Sequence, residues 1–85
     1  MMTLTELQNY AEPVLGTLEA ISCDGALIHA KNKHYNQIRI ALVLLTRYTR
    51  IPNTAKIIEY AIYAEESIKQ AIVWMESVTA TGKEY

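Results

Sequence analysis

The sequence predicts an all-α fold: an antiparallel helical hairpin preceded by a short, Pro-kinked N-terminal helical segment. Two stripes of apolar residues, over 28–45 and 57–78, recur at the spacing of one helix face. Between them lies Ile51-Pro52-Asn53, and proline disfavours the helical conformation of the residue before it. The chain has 85 residues, so we expect one helical domain over 1–85.

The N-terminal segment is expected to span 1–22. Thr3 with Glu6 three residues later is the signature of a capping box, so a helix should begin near Leu4. Because proline disrupts a helix interior, we expect this helix to end near Ala11 and to kink or restart at Pro13. A turn should follow over 22–25, with Asp24 as a possible cap.

The hairpin helices are expected over 26–50 and 54–81. In the first, one face carries Ile28, Tyr35, Ile38, Leu42 and Leu45. The apolar residues Ile40, Val43 and Leu44 fall outside that face, which predicts burial on more than one side. The second should be capped by Asn53 or Thr54 and end near Gly82. Its apolar repeat consists of Ile57, Ala61, Ala64, Ile68, Ala71, Met75 and Val78.

The size of the chain predicts self-association. Cys23 is the single cysteine, so no intramolecular disulfide can form, and no cysteine and histidine set has zinc-ligand spacing. Small domains without such staples usually need a partner subunit, and we therefore expect a homo-oligomer. The N-terminus lacks a signal-peptide pattern and the longest aliphatic run is far short of a membrane span, which predicts a cytoplasmic protein without membrane contact.

Charge is unevenly distributed although the net charge is only −1. Residues 1–24 contain acids and no Lys or Arg, whereas residues 25–58 contain six cations and no acid; the stretch 59–76 is again acidic. The basic middle stretch can pair with the acidic stretches of the same chain or of another copy, or it can bind an anion.

The predicted turn of the hairpin collects cations. Arg47 and Arg50 suit the last turn of a helix, where they complement its dipole. Lys56 does not fit this explanation, because it lies in the first turn of the next helix, where the helix dipole disfavours a positive charge. Free N–H groups at that helix start and the Thr54 hydroxyl would add donors, so an anionic ligand or an acidic partner is expected here. A solvated end, or pairing with the chain's own acids, is the alternative.

Two further groups allow more than one interpretation. Lys31, Lys33, His34 and Arg39 surround Tyr35. We expect Tyr35 to lie in the core and the lysines to be solvated, and the alternative is that the group holds a nucleotide by stacking and phosphate contact. On the last helix a second stripe contains Tyr60, Tyr63 and Trp74, residue types that favour interfaces. We interpret it as a contact with another subunit, with plain core as the alternative.

Catalytic arrangements are absent from the sequence. His29 and His34 are five residues apart and do not share a helix face, and Glu65 and Glu66 point in different directions. Cys23 has no nearby cation to lower its pKa, and there is no Gly-rich phosphate loop. The chain is therefore not expected to be an enzyme or to need a cofactor or a metal.

One stretch carries a family resemblance. YAEESIKQAIVWMESVTA, with Ile68, Ala71 and Trp74 in register, resembles the C-terminal helix of the small phage anti-CBASS cyclic-nucleotide sponges. The resemblance covers about 20 residues and implies a compact homo-oligomer that sequesters cyclic nucleotide messengers without cleaving them. It also implies an N-terminal aromatic contact to the ligand, for which Tyr10 is the candidate.

The leading hypothesis is thus a non-enzymatic helical protein that sequesters an anionic nucleotide. Arg47, Arg50, Lys56, Thr54 and Tyr10 would contact the ligand. The alternative is a protein-interaction module, such as a phage anti-defence inhibitor or adaptor, that contacts a host protein through its aromatic face. Nucleic-acid binding is less favoured, because the net charge is slightly negative and no helix-turn-helix spacing is present.

Overall fold

A computed structural model describes residues 2–21, 25–51 and 53–83, with side chains described as far as Val78. Over these ranges the chain is all-helical, with α1 at Leu4–Ala20, α2 at Ala26–Arg50 and α3 at Thr54–Lys83. The predictions that concern Pro52, Cys23 and Asp24 lie outside the described residues. None of the described helices is long and apolar enough to cross a bilayer.

α1 begins with the predicted capping box and continues through Pro13. The Thr3 N–H donates to Glu6 Oε1 at 2.9 Å, and the Glu6 N–H donates to Thr3 Oγ1 at 3.2 Å. The expected end near Ala11 is wrong, since α1 is a single helix to Ala20. Pro13 lies on the exposed side of α1 together with Asn9, whose carbonyl loses a donor there. Water can bond that carbonyl, which reduces the cost of an interior proline.

The bounds of α2 agree with those expected, and α3 runs two residues further. Gly25 precedes α2 with a φ of 61°, a left-handed conformation that glycine adopts without strain. Of the two candidates for the cap of α3, Asn53 fills the role, because its Oδ1 accepts a hydrogen bond from the Lys56 N–H at 3.2 Å.

α2 and α3 run antiparallel with a constant register. The Tyr48 and Tyr60 rings are 5.6 Å apart near the turn, and the His34 and Trp74 rings are 5.5 Å apart at the far end. The members of each pair lie equally far from Thr54 along the chain. The predicted hairpin therefore forms, and α1 packs against both of its helices.

The core is one apolar cluster shared by the three helices. Its largest fully buried side chains are Leu7, Leu18, Ile38, Leu45 and Ile68. The predicted repeat of α3 supplies the buried residues Ala61, Ala64, Ile68 and Ala71. The prediction for α2 fails at two positions within the monomer, because Ile40 and Val43 are 54% and 57% exposed.

Polar contacts fasten the C-terminal end of α1 to α2. Lys31 Nζ donates to the carbonyl of Ile21 at 2.9 Å and to that of Glu19 at 3.4 Å. The Tyr35 hydroxyl donates to Glu19 Oε1 at 2.7 Å, and Arg39 Nη1 donates to the Tyr35 oxygen at 3.4 Å. Lys31 thus joins the two helices, whereas the Arg39 bond lies within α2. The expectation that the lysines are solvated is wrong for Lys31.

Candidate functional site

An open cavity of about 460 Å³ lies at the C-terminal end of α2, beside the turn. Helical spacing brings Arg47 and Arg50 together there, because residues three apart are neighbours on a helix surface. The rest of the described lining is apolar or weakly polar: Val43, Thr46 and Ile51. The Thr46 hydroxyl is occupied by its own helix, donating to the Leu42 carbonyl at 2.8 Å. The cavity therefore combines an apolar wall with two guanidinium groups.

Neither guanidinium has an ion pair with a described residue. Within the described part of the chain, the ion pairs join Lys56 to Glu59 and Lys69 to Glu65, and neither involves Arg47 or Arg50. Both arginines are exposed. The N–H donors of two planar guanidiniums are consequently available to an incoming carboxylate or phosphate.

Lys56 belongs to a different environment. Its Nζ lies 3.2 Å from Glu59 Oε2, one helical turn away, and 5.8 Å from the centre of the Tyr60 ring. The hydrogen bond and the charge of Glu59 raise the pKa of Lys56. Lys56 does not line the cavity of Arg47 and Arg50. The cationic turn therefore divides into a guanidinium cavity and a lysine that is already paired.

The other two candidate ligand contacts lie away from the cavity lining. Thr54 is the first residue of α3 and is exposed. Tyr10 is half-buried and packs against the core from α1. The structure thus brings together two of the five predicted ligand contacts, Arg47 and Arg50.

A second depression continues the first along α2. It measures about 260 Å³ and shares Val43 and Thr46 with the cavity of the arginines. Gln8 and Leu15 from α1 form one side of it, and Arg39 and Leu42 from α2 form the other. Together they make a groove that follows the seam between α1 and α2 and has a cation at each end.

The aromatic stripe of α3 is mostly engaged within the hairpin. Tyr60 stacks on Tyr48, and Trp74 contacts the ring of His34. Tyr63 is more exposed, at 38%, and its ring centre lies 6.5 Å from that of Tyr60. Of the three residues predicted to form a subunit contact, Tyr63 therefore has the largest free surface; a role at an interface stays a prediction.

His34 is held in an apolar setting. Its ring contacts Trp74, and its Nδ1 is buried with no hydrogen-bond partner among the described residues. Burial, and secondarily the charge of Lys33, lower the pKa of His34. The ring is therefore favoured in its neutral form, and the hairpin opposes its protonation.

Two features of the site were missed from the sequence. Tyr48 stacks on Tyr60 beside the turn. The sequence feature that could have predicted this is the equal distance of the two tyrosines from Thr54, six residues on either side. Val43 and Ile51 line the cavity, and their signal was apolar character outside the core face of α2.

The described side chains around the two depressions offer guanidinium donors and apolar surface to a ligand. In the described part of the chain, no group of three His, Cys, Asp or Glu side chains could hold a metal ion. Among the described residues that line the two depressions there is no acid or histidine, the usual proton-transfer groups. Comparison of the chain with protein-family models, curated proteins and solved structures gives no match.

Proposed function

We propose that this chain binds and sequesters a small anionic ligand of the nucleotide class, without chemical conversion. The observation that carries the proposal is a pair of arginines without an ion pair to a described residue, Arg47 and Arg50, on one cavity with the apolar residues Val43 and Ile51. Arginines three residues apart suit a phosphate, and an apolar wall suits the face of a base.

The size of the cavity supports a ligand of this class. About 460 Å³ lies within the range of small-molecule sites, and the shared lining with the second depression leaves room for an extended ligand. The resemblance of α3 to the cyclic-nucleotide sponges favours a cyclic dinucleotide, which has two phosphates and two bases. Sequestration depends on affinity and slow release, so no residue needs to stabilise a transition state.

The test is calorimetric titration of the purified protein with a cyclic dinucleotide, a linear dinucleotide and inorganic phosphate. We expect saturable binding of the cyclic dinucleotide and its recovery intact. Arg50→Glu should weaken binding by about tenfold or more, since it removes a charge-assisted contact and adds repulsion. Arg50→Lys should weaken it less, because the charge remains while the bidentate geometry is lost.

Lys33→Glu is the matched control. It reverses one charge on the same helix at an exposed position outside both depressions. Equal losses from Lys33→Glu and Arg50→Glu would mean that the net charge of α2 binds the ligand, and the proposed site would be wrong. Cleavage of the cyclic dinucleotide by the purified protein would contradict the non-catalytic assignment.

The two alternative functions have less support. A protein contact through the aromatic face would have to use Tyr63, since Tyr60 and Trp74 pack against α2. Nucleic-acid binding through the middle helix would have to proceed without Lys31, whose ammonium bonds the carbonyls at the end of α1.

A further inference from the structure

The side of α2 that faces away from the core has its own regular pattern. Its residues recur at steps of four and three, as in a helix that packs against a second neighbour. Ile40 and Val43 form an exposed apolar centre, and the cations follow toward the turn. We name this surface the outer face of α2; it consists of Asn36, Ile40, Val43, Arg47 and Arg50.

α3 has a corresponding surface of opposite charge. Ile62 and Val73 are 47% and 65% exposed and are separated by three helical turns on one side of the helix. Acids lie between and beside them, and Glu66 has no ion pair with a described residue. We name this surface the outer face of α3; it consists of Glu59, Ile62, Glu66, Lys69 and Val73.

These two faces complement one another in charge and in apolar content. Pairing two outer faces of α2 would supply no carboxylate to Arg47 or Arg50, because residues 25–58 contain no acid. Pairing two outer faces of α3 would leave Arg47 and Arg50 of both copies without a carboxylate. Val43 lies seven residues before Arg50, and Glu66 lies seven residues before Val73, so an antiparallel pairing of one face of each kind brings Arg50 to Glu66 and Val43 to Val73 together, which removes apolar surface from water.

We infer that the outer face of α2 is a docking surface for the outer face of α3 of a second copy of this chain. The contact is heterologous, since each copy uses a different face. In a pair of chains, one copy therefore keeps its outer face of α3 free and the other keeps its outer face of α2 free. Such contacts close into rings or continue as open chains. The second neighbour that the sequence predicts for Ile40 and Val43 is thus another subunit.

The test is light scattering or sedimentation of the full chain over a wide concentration range. Association should be salt-sensitive. Arg50→Glu and Glu66→Arg should each weaken it by about tenfold or more, because each opposes like charges in the contact. Asn9→Arg is the control, since it adds a cation on the exposed side of α1, outside both faces, and should leave association unchanged.

The decisive step is to mix the Arg50→Glu chain with the Glu66→Arg chain. In the mixture, the carboxylate introduced at position 50 of one chain can face the guanidinium introduced at position 66 of the other. The native Arg50 of the Glu66→Arg chain can likewise face the native Glu66 of the Arg50→Glu chain. Association should therefore return on mixing and in the double variant. A wild-type chain that stays monomeric, which would leave this face to a foreign protein, overturns the inference. The inference is also overturned if neither charge reversal weakens association, or if mixing the two variants does not restore it.

The inference does not rest on the proposed nucleotide site, although both use Val43, Arg47 and Arg50, so that a docked second copy and the ligand compete for one surface. The variants separate the two. Glu66→Arg keeps the arginine cavity and should still bind the cyclic dinucleotide while association is lost. The double variant should associate without binding the nucleotide. Loss of one property therefore leaves the other measurable.

Discussion

The Tyr48 and Tyr60 rings lie face to face across the first turns of the hairpin, with centres 5.6 Å apart and planes inclined by 2°. Parallel displaced rings at this distance attract one another beyond the area they bury. Because the pair joins the last turns of α2 to the first turns of α3, it holds the bend that carries Arg47 and Arg50. The stack therefore supports both the fold and the geometry of the arginine cavity.

Removal of either ring should destabilise the protein and expose the coupling between the two. We expect Tyr60→Ala and Tyr48→Ala each to lower the free energy of unfolding by about 2–4 kcal/mol, since both side chains are half-buried. The double variant should lose less than the sum by about 0.5–1.5 kcal/mol. Urea unfolding of the four proteins measures this, and strictly additive losses would show that the stack contributes nothing of its own.

Acidification should destabilise the protein through His34. Burial beside Trp74 lowers the pKa of His34 below its ordinary value of 6.5, so the folded chain binds this proton less tightly than the unfolded chain. The contribution of neutral His34 to the free energy of unfolding is therefore fully present above about pH 6.5. It is lost as the pH falls through the lower pKa that His34 has in the folded chain. Urea unfolding at a series of pH values from neutral to mildly acidic measures this loss.

Two variants separate His34 from other groups that titrate in acid. His34→Gln should flatten the dependence between neutral and mildly acidic pH, because it removes the ionisable ring. His29→Gln, which changes an exposed histidine in the first turn of α2, should retain it. The same slope in wild type and His34→Gln would assign the effect to carboxylates.

Lys31 should stabilise the protein although it is a lysine on a helix surface. Its ammonium donates to the carbonyls at the C-terminal end of α1, which lack helical partners. We expect Lys31→Met to lower the free energy of unfolding by about 1–2 kcal/mol, because the stem is kept and the charged hydrogen bonds are lost. Lys33→Met, at an exposed position two residues away, should cost less than about 0.5 kcal/mol. Thermal unfolding at slightly alkaline pH measures both, and equal costs would show that Lys31 is only a surface charge.

Lys56 should matter little for ligand binding. Its ammonium is paired with Glu59 and lies outside the cavity, so Lys56→Ala removes no contact at the arginines. We expect the affinity for a cyclic dinucleotide to change by no more than about twofold, as for a screened charge outside the cavity. Calorimetric titration of Lys56→Ala and of Arg47→Ala with the same cyclic dinucleotide measures this difference. A larger loss of affinity from Lys56→Ala would show that the ligand site includes Lys56 and extends over the whole bend.

Local chemistry predicted much of the fold. The limits of α2 follow from Gly25 and from the break near Ile51, and the capping box sets the start of α1. The continuity of α1 could not be predicted in the same way. An interior proline is tolerated according to whether water reaches the freed carbonyl, and this depends on how α1 is rotated against the hairpin.

The candidate site was predictable only as far as a single helix determines it. Arg47 and Arg50 lie together because they are one turn apart on α2. Lys56 lies elsewhere because Glu59 is also one turn away and competes for it, a local signal that the sequence contains. The position of Tyr10 depends on tertiary packing of α1, which no local pattern encodes.

The three-helix arrangement also decides how the protein behaves in solution. Its dimensions are 49 × 20 × 17 Å, and its radius of gyration of 14.1 Å exceeds the roughly 12 Å of an equally long spherical domain. An elongated particle diffuses more slowly than a sphere of the same mass, so a lone 9.6 kDa subunit should elute early from a calibrated sieving column. Mass must therefore be determined independently of shape before an early peak is attributed to a multimer.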